Sequence, residues 1–288
     1  MIHRYCISHT TPQLPSSWYD RCIALGQFQP DSDLHVRQLD HYWHEARPVA
    51  YGAAGSYVLP IAIRKFSPQA DLIEICSFRK RILPYPAGVE AKIFPTLREF
   101  DLEYALAEDD VASQFSWEPG SGFLVAQPLY FKNTVYRHYA SIYRSRDFHD
   151  YTSIAVEMNV LDSCSASQFL AAKHFIPGGV ELGIFPRSWL VDVLSKLEAV
   201  GRVFLERYGY RVREYDKYQV RAVGFLSERL GSFLLIRHLM DIYSNHIPAD
   251  VFGYMTVIVN DGSRYSAGLG DVESDRPDRF RLKIRNGK

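Results

Sequence analysis

Apolar positions along the chain recur with two different periods, and the changes of period outline its elements. Ile2 to Ile7 is a short strand candidate, broken by Ser8-His-Thr-Thr-Pro12. Trp18 to Gly26 reads as a short helix. Val49 to Phe66 reads as a longer one, interrupted by Gly52, Gly55 and Pro60. Asp71-Leu-Ile-Glu-Ile-Cys76 is a compact apolar strand with a basic exit, Ser77-Phe-Arg-Lys-Arg81. Gly122 to Gln127 is a further apolar strand that ends at Pro128. Asn133 to Arg144 is helical, and polar helices continue to about Lys173. Pro177-Gly-Gly179 marks a turn, and Val180 to Phe185 is a buried-strand candidate.

Helical periodicity is clearest in the last third. Leu190, Leu194, Leu197, Val200 and Phe204 share one face of a helix from Ser188 to Tyr208, with Pro186 before its first turn and Gly209 as its stop. A second helix covers Tyr218 to Tyr243, and Gly253 to Val259 is a late strand. There is no internal repeat and no linker-like stretch. Strands separated by helices predict an α/β sandwich with a mainly parallel central sheet, spanning residues 1–260 as a single domain with a charged tail at 261–288. Ligands of such sheets bind at the carboxyl ends of strands, so the loops to inspect follow Ile7, Cys76, Gln127 and Phe185.

Composition narrows the partners. A chain of 288 residues that is 47% hydrophobic has enough apolar surface for one large core. Its 33 Lys and Arg balance 33 Asp and Glu, so no global field draws it to nucleic acid or an anionic membrane. Any anion site must be a local concentration of positive charge. Cys6, Cys22, Cys76 and Cys164 lack CxxC spacing, which argues against a zinc site and for a reducing compartment. The N-terminus lacks the apolar core of a signal peptide, and no apolar run approaches the roughly 20 residues of a membrane span. The expectation is a cytoplasmic protein.

Three constellations could carry chemistry. The first is the basic exit of the Cys76 strand, where consecutive cations could meet a diphosphate; an ordinary solvated turn has the same pattern. The second is Val220-Arg-Ala-Val-Gly-Phe-Leu-Ser-Glu-Arg-Leu-Gly-Ser-Phe233. Arg221, Gly224, Glu228 and Gly231 lie 3, 4 and 3 residues apart on one face of a largely apolar helix. A carboxylate there needs a partner or a task, and glycines in mid-helix imply close packing against that face. An Arg–Glu structural pair would explain it equally. The third is Pro177-Gly-Gly-Val-Glu-Leu-Gly-Ile-Phe185, where glycines flank Glu181 and would permit close backbone approach, to a ligand or within a plain turn. The ten histidines form no HxH or HExxH, and GxSxG, P-loop and GxGxxG patterns are absent.

Taken together, these segments resemble a family of bacterial capsule and O-antigen glycosyltransferases, long described by a domain of unknown function. The family's first strand ends in a His and a short polar loop, matched by Cys6-Ile-Ser-His9-Thr10. Its Cys-His-Tyr-Arg-Arg motif is matched by Cys76-Ser-Phe-Arg-Lys80, with Ser, Phe and Lys replacing His, Tyr and the second Arg. Tyr136-Arg-His-Tyr139 and Leu182-Gly-Ile-Phe185 with Trp189 follow in order. The Arg-x-x-Gly-Phe/Tyr-x-x-Glu-Arg-Leu helix is matched throughout by Arg221 to Leu230.

The resemblance covers residues 2 to 240 and implies a Rossmann-like, GT-A-like fold acting on a nucleotide-sugar donor and a glycan or lipid-linked glycan acceptor. Carried over residue by residue, it makes His9, Thr10, Arg79 and Lys80 nucleotide and diphosphate candidates. Glu228 with Arg221 and Arg229 becomes the polar set of the helix, with Gly224 in support, and in a sugar transferase either Glu228 or Glu181 would be the catalytic carboxylate that orients the acceptor hydroxyl or acts as its base. Many transferases of this fold hold Mn²⁺ or Mg²⁺ on an Asp-x-Asp motif. The nearest acidic groups here are Asp101-Leu-Glu103 and Glu108-Asp-Asp110, which leaves Asp109 and Asp110 as the weak metal candidates in a stretch that reads as a solvated helix face. The resemblance places the protein in the cytoplasm, at the inner face of a membrane if it meets a lipid-linked acceptor, with peripheral contact at most. Two alternatives stay open: a non-catalytic binding subunit of the same fold in a polysaccharide assembly complex, and a two-carboxylate glycoside hydrolase.

Overall fold

The computed structural model describes residues 1–28, 34–91, 97–101 and 122–259. Its strands are β1 Ile2–Ser8, β2 Arg21–Ala24, β3 Leu72–Ser77, β4 Lys80–Leu83, β5 Val89–Glu90, β6 Leu97–Asp101, β7 Val125–Ala126, β8 Leu129–Tyr130, β9 His174–Phe175, β10 Gly183–Pro186 and β11 Phe252–Val259. Its helices are α1 Val36–Leu39, α2 His41–Ala50, α3 Ala53–Phe66, α4 Val135–Ile142, α5 Ser145–Glu157, α6 Ser163–Ala171, α7 Arg187–Val212 and α8 Ala222–Ile242.

The expected α/β sandwich forms around one mixed sheet of order β2-β1-β3-β4-β11-β6-β5, with β10 on β3 and β7 on β11. The strands β1, β2 and β3, which carry the loops after Ile7 and Cys76, are parallel, whereas β10 runs antiparallel to β3 and sends the loop after Phe185 to the opposite end of the sheet. Cys6 of β1 sits opposite Cys22 of β2 and Cys76 of β3, so the three strands run side by side and end together. One face is covered by α2, α3, α7 and α8 over a large core that includes Ile73, Ile75, Leu194, Leu197, Val200, Phe204, Leu226 and Leu230. Each fully buried side chain of that size is worth about 1.5–3 kcal/mol. The other face holds a smaller cluster of Cys6, Cys22, Cys76, Leu14, Trp18, Leu83, Phe100 and Ile258. All four cysteines are free thiols.

Four boundaries depart from the pattern reading. Residues 21–24 form β2, not helix. Trp18, Cys22 and Leu25 have helical spacing, but Cys22, Ile23 and Ala24 are all buried, and a parallel strand accommodates consecutive buried positions. The segment from Val49 to Phe66 is two helices that meet at Tyr51 and Gly52, with Pro60 kept inside α3. Helix α7 runs through Gly209 to Val212, whose burial rewards the extra turn. The strand before it begins only at Gly183, because residues 177–182 are a turn tied to α8.

The basic exit of β3 is a tight hairpin. Ser77 pairs with Lys80, leaving Phe78 and Arg79 at the tip, and β4 runs back antiparallel. Arg81 is thereby returned along the strand, where Nε and Nη2 donate to the buried Glu74 carboxylate at 2.5 and 3.0 Å. Arg4 adds a contact to the same carboxylate at 3.3 Å. Arg81 therefore neutralises a core carboxylate, while Arg79 and Lys80 remain at the strand ends. The segment with Asp109 and Asp110, Glu103, and the tail from residue 260 lie outside the described residues.

Candidate functional site

The carboxyl ends of β1 and β3 carry His9 and the Phe78-Arg79 tip, whose rings meet edge to face at 4.9 Å. The Arg79 guanidinium lies 5.2 Å from the Phe78 ring centroid. Across from them, α2 ends in Arg47 and Tyr51, and the turn before α8 supplies Arg221. Arg221 stands 4.4 Å and Arg47 5.5 Å from the Tyr51 ring centroid. Cations over aromatic faces are held by the ring quadrupole, so both plates fix the direction in which positive charge points. The His9 imidazole reports the result: its pKa is lowered, first by desolvation and then by the charges of Arg47, Arg221 and Arg79. Three guanidiniums from three separate segments are thus near enough for their charges to act on one histidine at the strand ends. Thr10 follows immediately, in a turn closed by Ser8 Oγ, which donates to the Thr10 carbonyl and accepts the Thr10 amide at 3.3 Å.

Beside this basic cluster lies a pair of carboxyls. Glu228 on α8 accepts the Gly178 amide at 2.8 Å, and Ser232, one turn on, accepts the Ile176 amide at 2.7 Å. These bonds tie the glycine turn to the helix. They also explain the mid-helix glycine: a Cβ on Gly231 would meet Val180 Cγ2 at 3.0 Å. Gly224 similarly faces Ala50 and Ala53 at the α2–α3 junction. What packs against this face of α8 is the protein's own chain.

Glu181 sits in the same turn with its Oε1 buried and unpartnered among the described residues. Burial, then repulsion from Glu228, pushes its pKa up to about 8, with Lys80 opposing. The buried hydroxyls of Tyr57, Tyr151 and Ser227 cluster beside it. Tyr143 packs on Phe225 at 4.5 Å, and burial raises the pKa of its phenol, with Arg229 opposing and smaller effects from Glu228 and Arg221.

Of the residues expected from sequence, His9, Arg79, Lys80, Arg221, Glu181 and Glu228 come together at this one end of the sheet. Arg229 turns away into the core. It is 5% exposed, its guanidinium lies 5.1 Å from Tyr139 and 5.6 Å from Phe175, and Nη1 donates to the Phe225 carbonyl at 2.9 Å. Arg47, Tyr51 and Tyr143 were not found by pattern reading; the only local signal was the basic residue in the last turn of α2. Among the described residues no three His, Cys, Asp or Glu side chains gather as a metal site. No helix among them is long and apolar enough to cross a membrane.

No family model and no curated protein matches the chain by sequence. A solved structure does match by shape: the apo form of WbbM, a bifunctional glycosyltransferase, with a TM-score of 0.64 at 13% identity. The match covers 90% of this chain and 45% of the WbbM chain, so this chain spans less than half of that protein. The chain has a glycosyltransferase-like α/β fold.

Proposed function

We propose that the protein is a glycosyltransferase that moves a sugar from a nucleotide-sugar donor onto a glycan or lipid-linked glycan acceptor in bacterial surface-polysaccharide assembly. The observation that carries this reading is the gathering of cations at the ends of parallel strands: Arg79 on the Phe78 ring that meets His9, and Arg47 and Arg221 on the Tyr51 ring, all three close enough for their charges to act on His9. Departure of a nucleoside diphosphate concentrates negative charge on its phosphate oxygens, and preorganised guanidinium forks stabilise such charge best. The likeness to WbbM supports the reaction class through the fold.

In this reading the diphosphate lies among the three arginines, with Lys80 at the side nearer the carboxyls. Glu228 then orients the acceptor hydroxyl and takes its proton as the new glycosidic bond forms. Its hydrogen bond from Gly178 fixes it in direction. Glu181 holds a proton beneath it, so the pair carries one negative charge and not two. The sugar carbon passes through an oxocarbenium-like state between the two clusters, as in glycoside cleavage. A divalent ion, Mn²⁺ or Mg²⁺, would supply further charge on the diphosphate. The described residues offer no donor set for one, and Asp109 and Asp110 lie outside them.

A thermal-shift screen against UDP, GDP, CMP and TDP sugars, with and without Mn²⁺, tests the reading directly. A ligand bound only by the folded state raises the melting temperature by mass action. A shift with one nucleotide class identifies the donor, and its persistence in EDTA shows that side-chain cations hold the diphosphate. No shift with any donor, in well-folded protein, would overturn the proposal.

A further inference from the structure

Tyr51 is the last residue before the break between α2 and α3, and it has an unusual backbone. Its φ is +50° and its ψ −125°, a region that side-chain-bearing residues enter only under strain. The next residue, Gly52, is helical at φ −62° and ψ −32°, where any residue is at ease, and open space surrounds it. The glycine therefore stands one position away from the strain. At 51 the chain keeps a large aromatic ring where glycine would be the relaxed choice. That ring makes little of the hydrophobic core; it stands against two guanidiniums from two elements, Arg47 of its own helix and Arg221 of the turn before α8.

We infer that Tyr51 is a positioning residue for the diphosphate site: its ring is the plate on which Arg47 and Arg221 are held together against their mutual repulsion, and the strained backbone is what turns the ring between them. The Tyr51 ring is the contact the two arginines share, and among the described residues neither forms an ion pair with a carboxylate. Without the ring, like charges on mobile side chains would separate into solvent. The inference rests on the diphosphate reading above and adds to it a residue that touches the cations, not the ligand.

The test uses the full chain and the nucleoside diphosphate, from UDP, GDP, CDP and TDP, that binds the unaltered protein most tightly by calorimetry. Tyr51→Gly should weaken that binding at least tenfold while the melting temperature of the ligand-free protein holds or rises, because glycine relieves the positive φ. Tyr51→Phe keeps the ring and should bind within threefold of the unaltered protein. In a double-mutant cycle, Arg221→Ala should weaken binding little further in the Tyr51→Gly background.

Undiminished binding by Tyr51→Gly would overturn the inference. So would a large fall in its melting temperature, which would make Tyr51 a structural residue. Additive losses in the cycle would also overturn it, since Tyr51 would then act apart from Arg221. Failure of the unaltered protein to bind any of the four diphosphates would remove the diphosphate reading itself and this inference with it. That outcome is distinct from a failure confined to the Tyr51 variants.

Discussion

Glu228 and Glu181 share one turn-and-helix unit but are supported unequally: Glu228 accepts the Gly178 amide at 2.8 Å, whereas the buried Oε1 of Glu181 accepts nothing among the described residues. The difference suits them to different jobs. An amide in place of Glu228 can still accept from Gly178 but cannot take a proton. Glu228→Gln should therefore lower kcat/KM by about 10²–10⁴, the usual worth of a general base, in a folded protein. Glu181→Gln mimics the protonated acid and should lower it less than tenfold. Initial rates of nucleoside diphosphate release decide the matter, and equal losses in the two variants would refute the division of roles.

The raised pKa of Glu181 also makes stability depend on pH with a definite sign. In the unfolded chain this carboxyl loses its proton near 4.5; in the folded protein burial and Glu228 hold the proton up to about 8. Between those values the folded state binds more protons, so its contribution is intact below 4.5 and is lost as pH rises toward 8. The slope for one group is at most about 1.4 kcal/mol per pH unit. Urea unfolding of the unaltered protein and of Glu181→Gln, compared pH by pH, cancels the other titrating groups. The difference in unfolding free energy should fall across that window and flatten above it; a difference that stays level throughout would sink the assignment.

Alternate members of the basic run should behave oppositely. Arg79 stands at the hairpin tip beside His9, and Arg81 is forked onto buried Glu74. Arg79→Ala should leave the melting temperature nearly unchanged and weaken donor binding about 10–100-fold, the range for a charge-assisted hydrogen bond. Arg81→Ala leaves a carboxylate at 2% exposure with Arg4 as its one remaining cation among the described residues, and should destabilise by about 3–5 kcal/mol. Melting curves of the two variants settle it, and a fully stable Arg81→Ala protein would contradict the structural role.

This contrast shows where the sequence was legible and where it was not. The spacing of Arg221, Gly224, Glu228 and Gly231 carried through to three dimensions, because a helix converts spacing into a face without outside help. The β1 and β3 runs carried through because each is a short stretch with a largely apolar buried part, Tyr5 to Ile7 and Leu72 to Cys76, bounded by polar residues. The hairpin at Phe78 and Arg79 carries no Gly, Asn or Asp to announce a turn, so Arg81 read as part of a loop. Arg47 and Tyr51 were hidden because they become site residues only through the break between α2 and α3, and Tyr51 takes a conformation that no propensity favours. The short strands β5, β8 and β9 have two residues each, too few for any period to register.

Gly179 is the point at which fold and site depend on the same atom. Its φ is +50°, and a Cβ there would lie 2.8 Å from the Glu228 carbonyl oxygen and 3.1 Å from the Ser232 amide nitrogen. Both are backbone atoms of α8, so neither can yield without moving the helix. Gly179→Ala should push the turn away from α8, lengthen the Gly178–Glu228 bond and carry Glu181 out of its pocket. The expected loss is about 1–3 kcal/mol from strain alone, with a greater fractional loss of activity than of stability. Gly224→Ala is the matched comparison: its Cβ would meet Ala50 and Ala53 at 3.6 and 3.7 Å, ordinary contact, and alanine gains up to about 1 kcal/mol of helix propensity. It should therefore hold or raise the melting temperature. Were Gly179→Ala as stable and active as Gly224→Ala, the close approach of the glycine turn to α8 would have no part in building the site.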